Sequence, residues 1–541
     1  MSAPRKPRLA LILWWVLLPF GSAVLDGCNA KTNHSIGNTP QVDTHILRRG
    51  IGGEPASLDP ARAGDTFSFE VIRDLYEGLV TESPTGDVRP GVAASWTVNP
   101  EGDVYTFKLR ANARWSNGHR VQAEDFVNAW RRVVDPKLGS PVADLLRPIV
   151  GAAGIISGKQ LPVTLGVFAQ DNETLVVRLE HPAPYFLEIL THTATFPVYS
   201  EETAAAHTGA TWVSNGPYVL AGWIPGSSLA LRRNPEYWDR DDVRIDEVRY
   251  LPIPDENSEL SQYRAGQLEI TQTVPAAALP LVRKEFPSEL LVAPFLGTVY
   301  YGINLRSGKF PLKLRQALNM AVDRRILENT ILVFGQRPAY GFVPPGTWNY
   351  DSQSWKWSSL SDVERIEQAR SLYVSAGYSL DKPLHLRLLY NENQAIKRLS
   401  IAIASMWKTT LGIETDLTEE EYRVFLDSRK DPARWDIVRL GWSADYNDAG
   451  DFLETFRHSS PNNDTGYASK EYDSLLDSAV TSPEPAVRKG ILEKAEKVML
   501  SEYPVVPVYF FSSKRLVKPY VKGAITNPLN RLYSKDLSIQ P

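Results

Sequence analysis

The pattern of apolar and polar positions predicts helices and strands that alternate along most of the chain. Apolar residues recur at helical spacing in four segments, 69–80, 123–133, 312–332 and 395–411. Apolar and polar residues alternate in three others, 96–98, 104–110 and 384–390, the first two separated by a turn-rich stretch that predicts a hairpin. Gly78 and Gly412 have the position of helix stop signals. The succession of strands and helices favours an α/β architecture.

A strand followed by a charged loop is predicted near the end of the chain. The run Trp435–Val438 has strand character, and Gly441 with the Asp and Asn residues after it predicts a turn. Loops after strands carry recognition groups on a rigid support. Arg439 and Asp445 flank Trp442, and this pair of opposite charges would suit a zwitterionic ligand such as a free peptide. The alternative is that Trp442 belongs to the core and Asp445 only caps a turn.

Composition narrows the class of protein. A chain of 541 residues that is 43% hydrophobic can bury a large core, and domains of ordinary size imply more than one of them. The net charge of −4 and the lack of a long basic run beyond the N-terminus argue against a nucleic-acid surface. Cys28 is the single cysteine, so no intrachain disulfide can form.

Residues 1–28 have the pattern of an export signal. Positive charges within 5–8 precede the apolar run Leu9–Phe20, which is too short to span a bilayer comfortably, and small residues follow it. Residues 29–45 contain hardly any large apolar side chain and are predicted to form a flexible tether.

Cys28 is a candidate for lipid attachment. The segment Leu25–Cys28 resembles the attachment site of bacterial lipoproteins, and acylation there would anchor the protein to a membrane. Asp26 departs from the small or apolar residue that is usual at its position. The alternative is ordinary cleavage near Ala30, which would release a free periplasmic protein.

Motifs spread over nearly the whole chain resemble one family. Those of the first half resemble the signature of solute-binding proteins of peptide ABC transporters: Ala94–Trp96, Gly102–Arg110, Trp115–Gly118 and Glu124–Phe126. Others extend the resemblance to the periplasmic oligopeptide-binding proteins of extracellular solute-binding protein family five: 73–79, 215–218, 233–238, 250–253, 317–324, 402–408 and 506–509.

The resemblance implies a fold and a division into domains. The fold is an α/β, two-lobed periplasmic-binding-protein fold of type II, cluster C-like, with an extra α/β domain and a hinge between the lobes. The implied ranges are 46–90, 214–296 and 511–541 for lobe I, 91–213 for the extra domain, and 297–510 for lobe II.

The resemblance also assigns the charged groups of the ligand site. Asp445 would receive the α-ammonium of a bound peptide, because an ammonium taken out of water requires a carboxylate partner. Arg439 would bind the C-terminal carboxylate at one peptide length and Arg429 at another, since a guanidinium can donate two hydrogen bonds to one carboxylate. For Arg429 the alternative is a solvated surface arginine.

The remaining contacts implied by the resemblance serve the peptide main chain and its side-chain pockets. The peptide would pair with protein main chain as an added strand, which does not depend on side-chain identity. The residues implied in these contacts are Glu77, Leu79, Tyr300, Asn391, Trp442, Ser443, Ala444 and Tyr509.

Several positions depart from the pattern of relatives. Gly297 and Ser443 stand where some relatives have a cysteine pair. Ile396 stands where a relative has a histidine, and Val142 stands where a relative has a pocket tyrosine. The resemblance therefore does not imply that this chain shares the peptide length or the side-chain preference of its relatives.

The function implied is a receptor for short peptides that delivers them to the membrane subunits of an ABC-type permease. The expected protein is a periplasmic monomer that binds no nucleic acid, metal or cofactor and touches the membrane only through a lipid at Cys28. Binders of the same fold for dipeptides, cell-wall (murein) peptides or metal complexes are alternatives, and a chaperone or adhesion protein is a further one. A peptidase is a distant alternative, since the mature chain has no His-Glu-x-x-His, Gly-x-Ser-x-Gly or cysteine nucleophile.

Overall fold

The computed structural model describes residues 45–199, 212–330 and 335–540. The predicted signal peptide, Cys28 and all but the last residue of the predicted tether lie outside the described residues. None of the helices found in the described ranges is both long enough and apolar enough to cross a membrane.

Strands and helices alternate along the chain, as the sequence predicts. The elements before residue 290 are β1 (Ile46–Gly50), α1 (Thr66–Leu75), β2 (Val80–Glu82), β3 (Val88–Pro90), β4 (Ala93–Val98), β5 (Val104–Leu109), α2 (Ala123–Val134), α3 (Ala152–Ile156), β6 (Val167–Asp171), β7 (Thr174–Arg178), α4 (Phe186–Ile189), β8 (Tyr218–Ile224), β9 (Ser228–Arg233), β10 (Glu247–Leu251), α5 (Glu256–Arg264) and α6 (Leu279–Glu285). Those from residue 290 onward are β11 (Leu290–Ile303), α7 (Leu312–Ala321), α8 (Arg324–Thr330), β12 (Arg337–Pro338), α9 (Asp362–Ser375), β13 (His385–Asn391), α10 (Gln394–Leu411), β14 (Glu414–Glu420), α11 (Tyr422–Ser428), β15 (Ile437–Ser443), α12 (Ala449–Leu453), α13 (Lys470–Val480), α14 (Pro485–Glu502), β16 (Val505–Leu516), β17 (Val521–Lys522) and β18 (Ser538–Ile539).

Three larger sheets organise these elements. One has the strand order β1-β10-β9-β8, and a second, antiparallel sheet has the order β4-β5-β7-β6. The third is a mixed sheet of six strands in the order β12-β16-β11-β15-β13-β14. A large apolar core packs on this sheet and includes the fully buried Trp407 and Trp435. The fold is therefore α/β and two-lobed, as predicted.

The two longest strands connect the predicted lobes. Strands β11 and β16 pair from Leu290 opposite Leu516 to Gly302 opposite Val505. They cross the predicted boundaries at 296/297 and 510/511, and their register shifts between Pro294 and Thr298, next to those boundaries. Each of the other two larger sheets lies within one predicted domain. The domain ranges themselves stay a prediction.

Several predicted elements are confirmed and three are corrected. The hairpin of β4 and β5, helix α2, strand β13 and helix α10 form as predicted, and Gly412 ends α10 in the left-handed region with φ of 76°. Helix α1, however, ends at Leu75 rather than at Gly78. The chain after it is extended because the Gly78 carbonyl accepts a hydrogen bond from Val92 N (2.9 Å).

The predicted long helix 312–332 is divided into α7 and α8. The Asp323 carboxylate accepts hydrogen bonds from the backbone N–H groups of Arg325 (3.1 Å) and Ile326 (3.0 Å), and it thereby caps a new helix. Residues 331–334 lie outside the described residues. The predicted turn at Gly441 is also wrong, because that glycine lies within β15, paired with Val299 of β11.

Candidate functional site

The predicted binding loop directly follows strand β15 of the six-stranded sheet. The strand lies between β11 and β13, and the Ala444 N–H donates to the Leu296 carbonyl (3.0 Å), which extends the pairing beyond the strand end. The chain leaves the sheet at Asp445. Helix α12 then begins, and its capping residue is Asp448, whose carboxylate accepts from Gly450 N (2.7 Å).

A cavity of about 730 Å³ opens beside this loop. Trp442, Asp445 and Asp451 are among the residues that line it. Segments of the predicted extra domain, 141–148 and 180–189, also line it and include Val142. The structure therefore places two predicted site residues, Asp445 and Trp442, at the same cavity.

The carboxylate of Asp445 is held in place through its backbone. Its N–H donates to Asp451 Oδ2 (3.3 Å), and its carbonyl accepts from Arg531 Nη2 (2.7 Å). No group in the described ranges makes a hydrogen bond to its side-chain oxygens. Burial raises the pKa of Asp445 to about 6, and the positive charge of Arg531 acts in the opposite direction. A carboxylate in this position can receive a cation from a ligand.

Asp451 is a buried carboxylate at the same cavity and is not among the predicted site residues. Its side chain is almost fully buried, and Oδ2 accepts a hydrogen bond from Trp442 Nε1 (2.8 Å). Burial raises the pKa of Asp451 well above its ordinary value, and the neighbouring negative charge of Asp445 raises it further. The sequence carries one signal for this residue, the recurrence of aspartate at every third position in Asp445, Asp448 and Asp451.

Asp448 differs from these two aspartates because its charge is neutralised inside the protein. Arg488 donates two hydrogen bonds to it, Nη1 to Oδ2 (2.6 Å) and Nη2 to Oδ1 (2.8 Å), and both side chains are buried. The Arg488 guanidinium also lies 4.3 Å from the ring centre of Tyr185. Asp448 therefore has a structural role.

Arg531 joins the binding loop to two distant parts of the chain. Its guanidinium donates to Glu82 Oε1 (2.8 Å), Thr191 Oγ1 (2.8 Å) and the Asp445 carbonyl (2.7 Å). No local sequence signal identifies this residue, because all its partners are far away along the chain.

The predicted arginines lie in a second cluster, with Arg439 on strand β15 of the same sheet and Arg429 directly after helix α11. The pKa of Tyr300 is raised by burial and by the charge of Asp464, and the guanidinium groups of Arg429 and Arg439 oppose that rise. Arg439 likewise opposes the burial that raises the pKa of Tyr509. The structure thus brings both arginines and both tyrosines together.

Several polar atoms of this region have no hydrogen-bond partner among the described residues. They include Nε of Arg429, Nε of Arg439 and Oδ1 of Asn391, and Asn391 is 8% exposed at the end of β13. Nε of Arg429 lies 3.6 Å from Asp464 Oδ2, so Arg429 is more than a solvated surface residue. Buried polar atoms without partners are unusual in proteins and suit a ligand that supplies the missing partners.

Glu77 and Leu79 have partners within the protein. The Glu77 carboxylate accepts from Tyr237 Oη (2.5 Å) and Trp238 Nε1 (2.5 Å) and is paired with Lys535. The Leu79 side chain is buried, and its carbonyl accepts from two backbone N–H groups. Ligand contacts by these two residues stay a prediction.

Ser443 lies opposite Gly297 in the register of β11 and β15, as expected for positions that relatives can cross-link. A Cβ atom at Gly297 would lie only 2.0 Å from Phe511 Cδ2. This chain instead fills the space with an aromatic ring, which stacks on Phe295.

The fold and the site define a class of protein. Two lobes joined by long strands, with a cavity that presents unpaired carboxylates, are typical of solute-binding proteins. Among the residues that the structure describes, no group of three or more His, Cys, Asp or Glu side chains is placed to hold a metal ion.

Comparison with known proteins identifies the family. The chain belongs to the bacterial extracellular solute-binding proteins of family 5, whose model ("Bacterial extracellular solute-binding proteins, family 5 Middle") matches residues 87–464. It is 38% identical to the periplasmic oligopeptide-binding protein OppA of Salmonella typhimurium over 509 residues, which cover 92% of this chain and 93% of the relative.

Solved structures agree with this assignment. The murein tripeptide binding protein MppA of Escherichia coli superposes with a TM-score of 0.82 at 35% identity, covering 92% of this chain and 99% of that one. OppA of Haemophilus influenzae in complex with RPPGFSPFR gives a TM-score of 0.80 at 35% identity, covering 92% of this chain and all of that one (100%).

Proposed function

We propose that this protein is a receptor that captures short oligopeptides between its two lobes and delivers them to an ABC-type peptide permease. The single observation that carries the proposal is the carboxylate of Asp445, which lines a large cavity without a hydrogen-bonded partner in the described ranges. The cluster of Arg429 and Arg439 supplies the opposite charge. The names of relatives, an oligopeptide-binding and a murein tripeptide binding protein, support a peptide as the ligand.

Recognition would rest on the two ends of the peptide and on its main chain. The α-ammonium pairs with Asp445, and Arg439 or Arg429 binds the C-terminal carboxylate according to peptide length. The main chain pairs with residues 442–445 as an added strand, so side chains contribute little to this part of the affinity. Tyr300, Tyr509 and Asn391 line the pockets between the two ends.

Closure of the lobes would be the functional event. Residues 46–90, 214–296 and 511–541 form lobe I, 91–213 the extra domain and 297–510 lobe II. The interrupted pairing of β11 and β16 near Pro294 supports a hinge at the boundary of the lobes. A peptide shifts the open and closed populations only as far as it makes tighter contacts in the closed state, which the permease would sense.

The protein would act in the periplasm without chemistry of its own. Relatives are named as periplasmic proteins, and Cys28 is proposed as the site of a lipid anchor. We propose a monomer whose partners are short peptides and the membrane subunits of the permease, with no cofactor. A second candidate ligand is a dipeptide or a murein peptide, which the similarity to MppA favours.

Calorimetry of the ligand-stripped mature protein tests the proposal. A tripeptide, its N-acetylated form and a free amino acid are titrated into the wild type and into Asp445→Ala. We expect only the tripeptide to bind the wild type, and the variant to lose about 2–5 kcal/mol of binding free energy. Tight binding that is indifferent to both the acetyl group and the substitution would overturn the proposal.

A further inference from the structure

We propose that Asp451 gives the Asp445 end of the cavity a second ligand-binding carboxylate, which selects peptides whose first residue carries a cationic side chain. The inference rests on the proposed function and names the ligand class that this end of the cavity favours.

The first argument is the arrangement of the two carboxylates. Both line the same cavity, and both hydrogen bonds that Asp451 accepts, from Trp442 Nε1 and from Asp445 N, go to a single oxygen, Oδ2. Oδ1 of Asp451 receives no hydrogen bond from the described residues, and it is not among their buried polar atoms that lack a partner. One oxygen therefore orients the side chain and the other is open to a ligand.

The second argument is the charge balance of the cavity. Asp144 is paired with Arg147 (2.7 Å) and Glu454 with Arg457 (2.6 Å), so these lining charges cancel in pairs. Glu180 and His181 are exposed at the same cavity. Neither Asp445 nor Asp451 forms an ion pair with any described residue.

A single ammonium balances the two neighbouring carboxylates of Asp445 and Asp451 poorly. Burial raises the pKa of each, and the negative charge of Asp445 raises that of Asp451 further, so ionising both is unfavourable without added positive charge. The α-ammonium of a peptide supplies one positive charge. A lysine-like or arginine-like side chain on the first residue would supply the second and allow both carboxylates to be ionised.

The cavity also has an aromatic surface on which the aliphatic part of such a side chain can pack. The rings of Tyr185 and Tyr446 stack with centroids 5.8 Å apart, and both line the cavity. Long cationic side chains pack their aliphatic stems on aromatic surface while the charged end reaches a polar partner.

A purely structural role is the competing explanation, in which Asp451 only positions Trp442 and the loop. Asp451→Asn separates the two roles, because the amide oxygen can still accept both hydrogen bonds while the charge is removed. Asp144→Asn is the matched control, since it removes the same charge from the same cavity at a side chain that already has a cation partner.

The test uses tripeptides that differ only in the first side chain, Lys-Ala-Ala, norleucine-Ala-Ala and Glu-Ala-Ala, titrated calorimetrically near neutral pH. We expect the wild type to favour lysine over norleucine by about tenfold or more and to bind the glutamate peptide most weakly. Asp451→Asn should reduce the preference for lysine to less than about threefold, while Asp144→Asn keeps the wild-type ratio.

The possible outcomes separate this inference from the proposed function. A wild type that binds lysine and norleucine peptides equally, or an Asp451→Asn variant with the wild-type ratio, overturns the role of Asp451 and leaves the peptide receptor intact. A wild type that binds none of the peptides overturns the proposed function itself. An equal wild-type ratio overturns the role of Asp451 even if the variant does not fold.

Discussion

Replacing Asp445 by asparagine should stabilise the ligand-free protein while weakening its binding of peptides. Burial raises the pKa of this carboxyl from the ordinary value of 3.8 to about 6. One pKa unit corresponds to about 1.4 kcal/mol, so the ionised carboxylate would lower the free energy of unfolding by roughly 3 kcal/mol at neutral pH. Because the side chain is partly open to the cavity, we expect Asp445→Asn to recover roughly 1–3 kcal/mol.

The size of this stabilisation depends on pH in a defined way. Below pH 3.8 the carboxyl is protonated in both the folded and the unfolded chain, and it then carries no penalty. The penalty grows between that value and about 6 and is constant above it. The stabilisation by asparagine should therefore be absent in acid and fully present at neutral pH.

Asp445→Asn should weaken peptide binding, although it stabilises the ligand-free protein. Without the carboxylate the peptide ammonium is buried without a partner, and the loss of about 2–5 kcal/mol corresponds to roughly 30-fold to several thousandfold in Kd. The variant would thus be a more stable protein and a poorer receptor.

Urea denaturation at neutral and at acid pH, followed by tryptophan fluorescence, measures the first effect, and calorimetry measures the second. Asp448→Asn is the matched control, because it makes the same chemical change three residues later in a carboxylate that Arg488 neutralises. Breaking that buried pair should cost about 3–5 kcal/mol of stability. The reasoning is refuted if Asp445→Asn is destabilising at neutral pH or if it binds peptides as tightly as the wild type.

Three further predictions concern Asp445, Arg531 and Gly216. Peptide affinity should fall as the pH drops below about 6, where Asp445 is protonated, and calorimetry showing constant affinity from neutral to acid pH would contradict the ion pair. Arg531→Met should lower the free energy of unfolding by about 3–5 kcal/mol in urea denaturation, because it leaves buried Glu82 without its cation. Adding Glu82→Gln should recover part of this loss. A loss below about 1 kcal/mol would show that the contacts of Arg531 contribute little to stability. Gly216→Ala should cost roughly 1–3 kcal/mol of unfolding free energy, since its Cβ would lie 2.6 Å from backbone at the end of α1. In the control Gly490→Ala, the new Cβ meets nothing within 4 Å, so stability should hold or rise by up to about 1 kcal/mol, and equal losses in the two variants would refute the steric argument.

The sequence by itself determined the elements whose signals are local. The hairpin of β4 and β5 has its turn residues next to its strands, and α10 ends at Gly412 because a left-handed residue favours glycine. The family motifs predicted the α/β, two-lobed fold, and the charges around Trp442 pointed to Asp445, which the structure places at a cavity.

The errors lie where tertiary pairing overrides a local pattern. The apolar stripe after Leu75 continues at helical spacing, but the chain there pairs with residues 91–93 and is extended. Gly441 resembles a turn residue, yet β11 and β15 pair through it, and the Asp323 carboxylate divides what reads as one helix.

Only the tertiary structure decided which other aspartate can meet a ligand. The sequence pointed to Asp445, but nothing in it separates Asp451, which lines the cavity, from Asp448, which is neutralised inside the protein. Arg488 neutralises Asp448 from 40 positions away, and Arg531 reaches the carbonyl of Asp445 from 86 positions away. Burial, which sets the pKa of the two aspartates that remain unpaired, is a property of the packed molecule, because the groups that exclude water come from segments far apart in the chain.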